Sequence, residues 1–314
     1  MKRNTGSWDT PQGSLHYLLD EEGKGIVITG YSGRDTQLQI PGQIEGLPVT
    51  GIRKKTFLSR KQLRRVILPP TIEEIGDWTF AYCTNLESVW LARKPYRLGS
   101  QIFMECPGIH QLVVYEAEGR NLPTEEMDEI EKQTAALLAA STVLLDAEYL
   151  MNPLEAGTSF WLQQWDARMQ QVMQAEDSEG YTKMILCGEE DVGSSLELYL
   201  NHKRKCKVRL ALLRLMNPVG LSKENSEELE EYLRSRTRGC ETEETWEVVL
   251  KEHGHEQEYF EVFTKVGCVT EENFDALLTD MGSQYTEMKA FLMRYKEENM
   301  TGKDFFETLS LGNW

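Results

Sequence analysis

Residues 63–85, LRRVILPPTIEEIGDWTFAYCTN, and residues 86–108, LESVWLARKPYRLGSQIFMECPG, repeat one pattern at a spacing of 23. Seven columns agree: Leu63/Leu86, Val66/Val89, Leu68/Leu91, Ile75/Leu98, Gly76/Gly99, Phe80/Phe103 and Cys83/Cys106. The ladder extends back to Ile52 and Phe57 and forward to Ile109, Leu112 and Val114. One coil of this length cannot bury its own apolar face, so coils stack and share one interior. Each column then becomes a line of like side chains.

The columns also suggest local structure. Val66 and Leu68, then Val89 and Leu91, alternate as short strands do when one face points inward. Pro69-Pro70 marks the turn that follows. Ile75-Gly76 and Phe80 supply the return side of the coil. With only about four coils, the stack needs caps. The stretch HYLLDEEGKGIVITGY reads as a β-hairpin cap, with Leu18 and Leu19 before the Gly23–Gly25 turn and Ile26 and Ile28 after it.

These residues resemble the BspA-type leucine-rich repeat, whose pattern runs L..V.LP..I..IG..aF..C. Residues 38–57, LQIPGQIEGLPVTGIRKKTF, are similar to the first repeat of that family, which carries a longer insert after the Ile-Pro pair. The resemblance covers about residues 14–115. Residues 92–97, ARKPYR, depart from it, and a bulge is expected in the third turn. In that family the repeat is a recognition surface, often on secreted adhesins.

If Val66 and Leu68 point inward, Arg65 and Ile67 point outward from the same strand. The equivalent pairs are Ser88 and Trp90, then Gln111 and Val113. The outer face thus carries a row of Ile67, Trp90 and Val113, which with Arg65 are the candidate partner-binding residues. An apolar row with a central Trp has the composition of a binding hot spot. The rival reading is that the C-terminal domain or the flank of a dimer covers the row. Arg53, Lys54, Lys55, Arg60, Lys61, Arg64 and Arg65 cluster nearby. They read as a solvated face, as a dock for an acidic half of the chain, or as a dock for an acidic partner.

Beyond residues 116–123, EAEGRNLP, the apolar period changes from 2 to 3.6. A helix is expected from Thr124, with Leu137, Leu138, Leu144 and Leu145 on its apolar face, until Asn152-Pro153 stops it. Further helices are expected at about 157–175, 193–216, 224–237, 242–253, 256–266, 270–281, 284–298 and 303–310, with Gly254, Gly267 and Gly282 at C-caps. A second repeat appears at an offset of 28, where Trp246, Val249, Leu250, Gly254, Val262 and Phe263 align with Phe274, Leu277, Leu278, Gly282, Ala290 and Phe291. This stretch resembles degenerate ankyrin-like helical hairpins. The expected fold class is α+β, a short leucine-rich-repeat β-solenoid followed by an all-α helical repeat domain. The domains are read as 1–116, a linker at 117–123, and 124–314.

Charge separates the two halves. Residues 1–115 carry a balance of +3 and residues 116–314 a balance of −20. Phosphates would be repelled by the larger half, which argues against nucleic acid as a partner. Lys2 and Arg3 precede no apolar segment, and no stretch is long and apolar enough to span a membrane, so a cytoplasmic protein is expected. The six cysteines form no CxxC pair and are expected as free thiols.

No P-loop, GxGxxG, HExxH or GxSxG motif is present. Cys240, His253, His255 and Cys268 lie close in sequence, but their spacing matches no zinc pattern and reads as surface histidines at a turn. His202 and Cys206 are four apart without a third ligand. No catalytic residue, metal or cofactor is expected. The sequence reads as a non-catalytic protein-binding scaffold with an unidentified protein partner. The alternatives are an adhesin exported without a recognisable signal, or an enzyme with its site in the helical domain.

Overall fold

The computed structural model describes residues 5–116, 127–142, 144, 147–182 and 195–300. The chain forms two compact units, Met1–Trp165 and Asp166–Trp314. The division falls later than the expected break at 117–123, because the first helix after that break packs on the solenoid.

The first unit opens with an antiparallel meander of β1 (Thr5–Thr10), β2 (Gly13–Leu19) and β3 (Ile26–Gly33). The expected hairpin is β2–β3, with Leu19 opposite Ile26 and Leu18 opposite Val27. Its buried residues are Leu15, Tyr17, Ile26, Ile28 and Tyr31, whereas Leu18 and Leu19 stay half-buried. Asp35 fastens this cap: its carboxylate accepts from the Tyr31 hydroxyl at 2.7 Å and from the Gln12 backbone N–H at 2.9 Å.

The coils follow as two parallel ladders. One side runs β4 (Gln37–Gln39), β7 (Arg65–Ile67), β9 (Ser88–Ala92) and β11 (Gln111–Tyr115), in spatial order β11-β9-β7-β4. The other side joins β3 to β6 (Leu47–Ile52), β8 (Glu74–Ile75) and β10 (Arg97–Leu98). The insert after Ile40-Pro41 makes β5 (Gln43–Ile44), which pairs with β6 across a two-residue turn. Glu45 and Gly46 sit there at φ 52° and 81°, the backbone signature of a type I′ turn.

Inward columns fill the interior: Val66, Leu68, Val89, Leu91, Ile75 and Leu112 are all buried. The Phe57, Phe80 and Phe103 rings stack at 5.2 and 5.6 Å, within 3° and 7° of parallel. The cysteine column supplies hydrogen bonds instead of a disulfide. The Cys83 thiol donates to the Phe57 carbonyl at 3.1 Å and the Cys106 thiol to the Phe80 carbonyl at 3.0 Å. At residues 92–97 the Tyr96 hydroxyl folds back to accept from the Ala92 N–H at 2.9 Å, and Lys94 Nζ donates to the Pro70 carbonyl.

Helix α1 (Glu129–Ala140) completes this unit. Asp128 caps it in a box with Glu131, and the start expected at Thr124 lies outside the described residues. It ends at Ala140, where the Ser141 and Thr142 hydroxyls turn back onto the Leu138 and Ala139 carbonyls. A 3₁₀ turn, Glu148–Leu150, takes the place of the expected continuation. Helix α2 (Ser159–Gln174) begins in the first unit. Its fully buried Trp161 and Trp165 donate to the Leu150 and Leu137 carbonyls at 2.9 and 3.0 Å.

The second unit holds α3 (Leu196–Met216), α4 (Lys223–Arg234), α5 (Glu244–His253), α6 (Gln257–Lys265), α7 (Phe274–Asp280) and α8 (Thr286–Asn299). The helix expected at 303–310 lies outside the described residues. Of the pairs aligned at an offset of 28, Trp246/Phe274 and Val249/Leu277 share full burial, whereas Leu250 and Phe263 are buried and Leu278 is half-buried. Ala290 is exposed and Phe291 only half-buried. Gly267, at φ 83°, closes α6: its N–H donates to Thr264 and that of Cys268 to Phe263, a Schellman ending that favours glycine. Gly254, by contrast, is itself the cap of α5 at an ordinary φ of −61°. No helix among the described residues is long and apolar enough to cross a membrane.

Candidate functional site: the outer strand face

Parallel pairing sets Ile67 beside Trp90 and Trp90 beside Val113, so the three form one row across β7, β9 and β11. The row is outward, but it is not open along its length. Trp90 and Val113 are each 4% exposed. With Ala92 and Tyr115 they pack against Ala135 of α1, and Ile67 and Met127 lie on the margin of the cluster. The chain's own helix thus covers the row at β9 and β11. The physical reason is the amount of apolar surface, since a Trp, a Val and a Tyr ring side by side would otherwise face water. The Tyr115 hydroxyl also reaches across two coils to the Leu68 carbonyl, and burial pushes its pKa up to about 12.

Of the candidate partner-binding residues, Arg65 and Ile67 remain half-buried at the edge of this cover, while Trp90 and Val113 lie beneath it. Beyond them β4 presents Gln37 and Gln39, both exposed. The Arg65 guanidinium sits 5.7 Å from the Trp90 ring centre. The buried Trp90 indole N–H has no hydrogen-bond partner among the described residues. Leaving such a donor unmet costs about 1–3 kcal/mol. At the start of these strands, the Thr36 carbonyl accepts from the backbone N–H groups of Arg64 and Arg65 at 2.8 and 3.1 Å. This gathers basic side chains at one end of the open half.

The return side carries a second exposed surface that the alternation argument missed. Lys55, Trp78 and Gln101 occupy one column, and Ser59, Tyr82 and Glu105 another, all at φ between 51° and 63°. Trp78 is 38% and Tyr82 42% exposed. Lys55 Nζ lies 4.4 Å from the Trp78 ring centre, and the Trp78 indole N–H donates to Gln101 Oε1 at 2.7 Å. The available signal was position: these residues stand two before and two after the phenylalanine column.

The second unit gathers ion pairs. Lys207 Nζ meets Asp177 at 2.7 Å and Arg204 meets it at 3.0 Å. Burial pushes the Asp177 carboxyl up, and the hydrogen bonds from Lys207 and Arg204 outweigh it and hold the group below the usual range. Fully buried Arg214 binds Asp166 at 2.7 Å and also donates to the Val219 carbonyl. The His253 ring stacks on Tyr259 at 3.5 Å with Nδ1 3.1 Å from Glu256, and Cys240 Sγ donates to the Arg234 carbonyl. His202 Nε2 is 3.6 Å from Cys206 Sγ. Among the described residues, no group of three His, Cys, Asp or Glu is placed to hold a metal ion.

Comparison with known proteins gives a family for the solenoid. Residues 38–119 match the BspA type leucine rich repeat region in six copies. No curated protein matches the chain. Among solved structures it is similar to a leucine rich repeat protein of T. pallidum, at 28% identity over 32% of this chain and 47% of that one, with a TM-score of 0.26. It is similar to a leucine rich cell surface protein of Faecalibacterium prausnitzii A2-165, at 24% identity over 37% of this chain and 32% of that one, with a TM-score of 0.29. A leucine-rich repeat protein from Bacteroides capillosus ATCC 29799 is 16% identical over 35% of this chain and 98% of that one, with a TM-score of 0.26. The chain thus spans about half the length of the first of these proteins and about a third of the second. By its coil spacing, its stacked columns and this match, the segment from residue 38 to residue 119 is a BspA-type leucine-rich repeat region.

Proposed function

We propose that this chain is a non-catalytic protein-binding scaffold whose recognition surface is the half of the strand face that α1 leaves uncovered. Gln37, Gln39, Arg65 and Ile67 form that surface, and Trp90 and Val113 support it from beneath the helix. The carrying observation is the split in the row: Trp90 and Val113 are buried by α1, whereas Ile67, next in line, is only half-buried. A strand ladder offers regularly spaced side chains on a rigid frame, which suits recognition of another chain. The helical hairpins between 241 and 298 are read as a second, ankyrin-like stacking module.

A photo-crosslinking amino acid placed at position 67 tests the reading. It is expected to capture one discrete protein in the native cell, with position 113 as the buried control and position 82 reporting on the return side. Capture from 82 but not from 67 would move the function to the Trp78–Tyr82 surface, which its exposure favours as the second reading. The proposal includes a cytoplasmic setting. Its support is the use of Cys83 and Cys106 as thiol donors to backbone carbonyls, a role that oxidation would end. Cell fractionation separates this from an exported adhesin.

A further inference from the structure

We infer that the partner of the open strand face is an extended, acidic segment of a protein. The inference rests on the reading just proposed and names the chemistry of its occupant. Arg34, Lys61, Arg64 and Arg65 border the strand-start end of the open half. Arg34 is two residues before Thr36, whose carbonyl joins β4 to the Arg64 and Arg65 backbone. Lys61 stands next to Arg60, whose guanidinium donates to the Tyr31 carbonyl at 2.6 Å. Carboxylates are scarce here. Glu87 is taken by Arg64 at 2.6 Å, and Asp35 is buried and bonded to Tyr31 and Gln12. Arg34 and Lys61 are exposed and have no ion-pair partner among the described residues.

The remaining surface fixes the rest of the occupant. Half-buried Ile67 offers an apolar contact, Gln37 and Gln39 offer amides, and the strand-end side carries Pro41, Pro69 and Pro70, with Lys94 Nζ on the Pro70 carbonyl. An extended segment with carboxylates over the cations and an aliphatic side chain on Ile67 meets both demands. Nucleic acid meets only the first, because Trp90 and Tyr115, the rings on this face among the described residues, lie buried and offer no stacking platform.

Fluorescence anisotropy of the full chain with two labelled peptides, one alternating Glu and Leu and the other Lys and Leu, tests the inference. The acidic peptide is expected to bind, and to bind about tenfold more weakly when salt rises from about 0.05 to about 0.5 M. The double variant Arg34→Glu/Lys61→Glu touches only exposed side chains and is expected to weaken binding by about tenfold or more. Equal binding of the basic peptide, or indifference to the double variant, overturns the inference. So does tighter binding of a single-stranded oligonucleotide. Concentration-dependent self-association that the double variant abolishes would identify a second copy of this chain as the occupant and would likewise overturn it. If position 67 still captures a protein through a segment without excess Asp and Glu, the surface stands and the acidic class alone is lost.

Discussion

Ile67 on β7 is the register partner of Trp90 on β9, yet only Trp90 is buried. The edge of the α1 cover runs between these two residues. It divides a row that pairing makes continuous into a structural part and an accessible part.

The cover itself can be tested at Ala135, which is 2% exposed and packs on Trp90, Val113 and Tyr115. Ala135→Glu forces a carboxylate into this apolar contact, and neither burying it nor lifting the helix off is cheap. A loss of about 3 kcal/mol in urea denaturation is expected, with a gain in binding of a hydrophobic dye as Trp90 is uncovered. An unchanged midpoint would mean that α1 is not a stable part of this unit.

The phenylalanine stack makes a similar demand inside the solenoid. Phe80 lies between Phe57 and Phe103, is fully buried, and touches both neighbouring coils. Phe80→Ala removes the central ring and leaves a cavity that coils tied by backbone ladders on both sides cannot collapse to fill. The expected cost is about 3–5 kcal/mol, and a substitution that costs under a third of that argues for a far looser interior.

Much of this was legible before any coordinates, and the reasons differ by element. The Phe57, Phe80 and Phe103 stack follows from spacing alone, because side chains in one column have no other neighbours to meet. Alternation likewise placed Trp90 and Val113 on the outer side of their strands. What alternation lacks is any knowledge of what lies over that side. Leu137 and Leu138 announce an apolar helix face, but nothing in them states that it is set against β11. The left-handed columns were hidden for another reason: Lys55, Ser59, Trp78, Tyr82, Gln101 and Glu105 are not residues that announce positive φ. Only the stack of coils holds them there, each N–H of Phe57, Ser59, Phe80 and Tyr82 donating to the next coil.

That strain gives a prediction with an unusual sign. Ser59 is exposed, sits at φ 59°, and has no side-chain role in the ladder. Ser59→Gly relieves a left-handed conformation worth about 1–2 kcal/mol but gives part of it back through the looser unfolded chain. A net gain of about 0.5 kcal/mol is expected. The same change at exposed Lys54, which lacks positive φ, should destabilise by about 0.5–1 kcal/mol. Parallel thermal melts decide between them. Two losses of equal size would show that position 59 carries no strain.

The thiols report on burial and on pH together. Burial pushes Cys83 and Cys268 up to about 12 and Cys106 up to about 11, whereas Cys206 lies exposed on α3. Only thiolates alkylate readily, so at about pH 8 the native protein should be labelled at Cys206, with Cys83, Cys106 and Cys268 modified only after unfolding. Peptide mass mapping identifies each site. The same shifts act on stability. A thiol that ionises near pH 9 when unfolded, but only near 11 or 12 when folded, contributes stability that is complete below about pH 9. Above that pH the unfolded chain releases protons that the folded chain keeps, and stability falls as pH rises toward the folded values. Tyr31 and Tyr115, each raised to about 12 chiefly by burial, add to the loss from about pH 10 upward. The urea midpoint should therefore drop between about pH 8 and about pH 10.5, and Cys83→Ser/Cys106→Ser should flatten that drop while lowering the midpoint at pH 8. A midpoint that rises across this range, or labelling of Cys83 as fast as Cys206, would show that the cysteine column is open to solvent and that the coils do not share a closed interior.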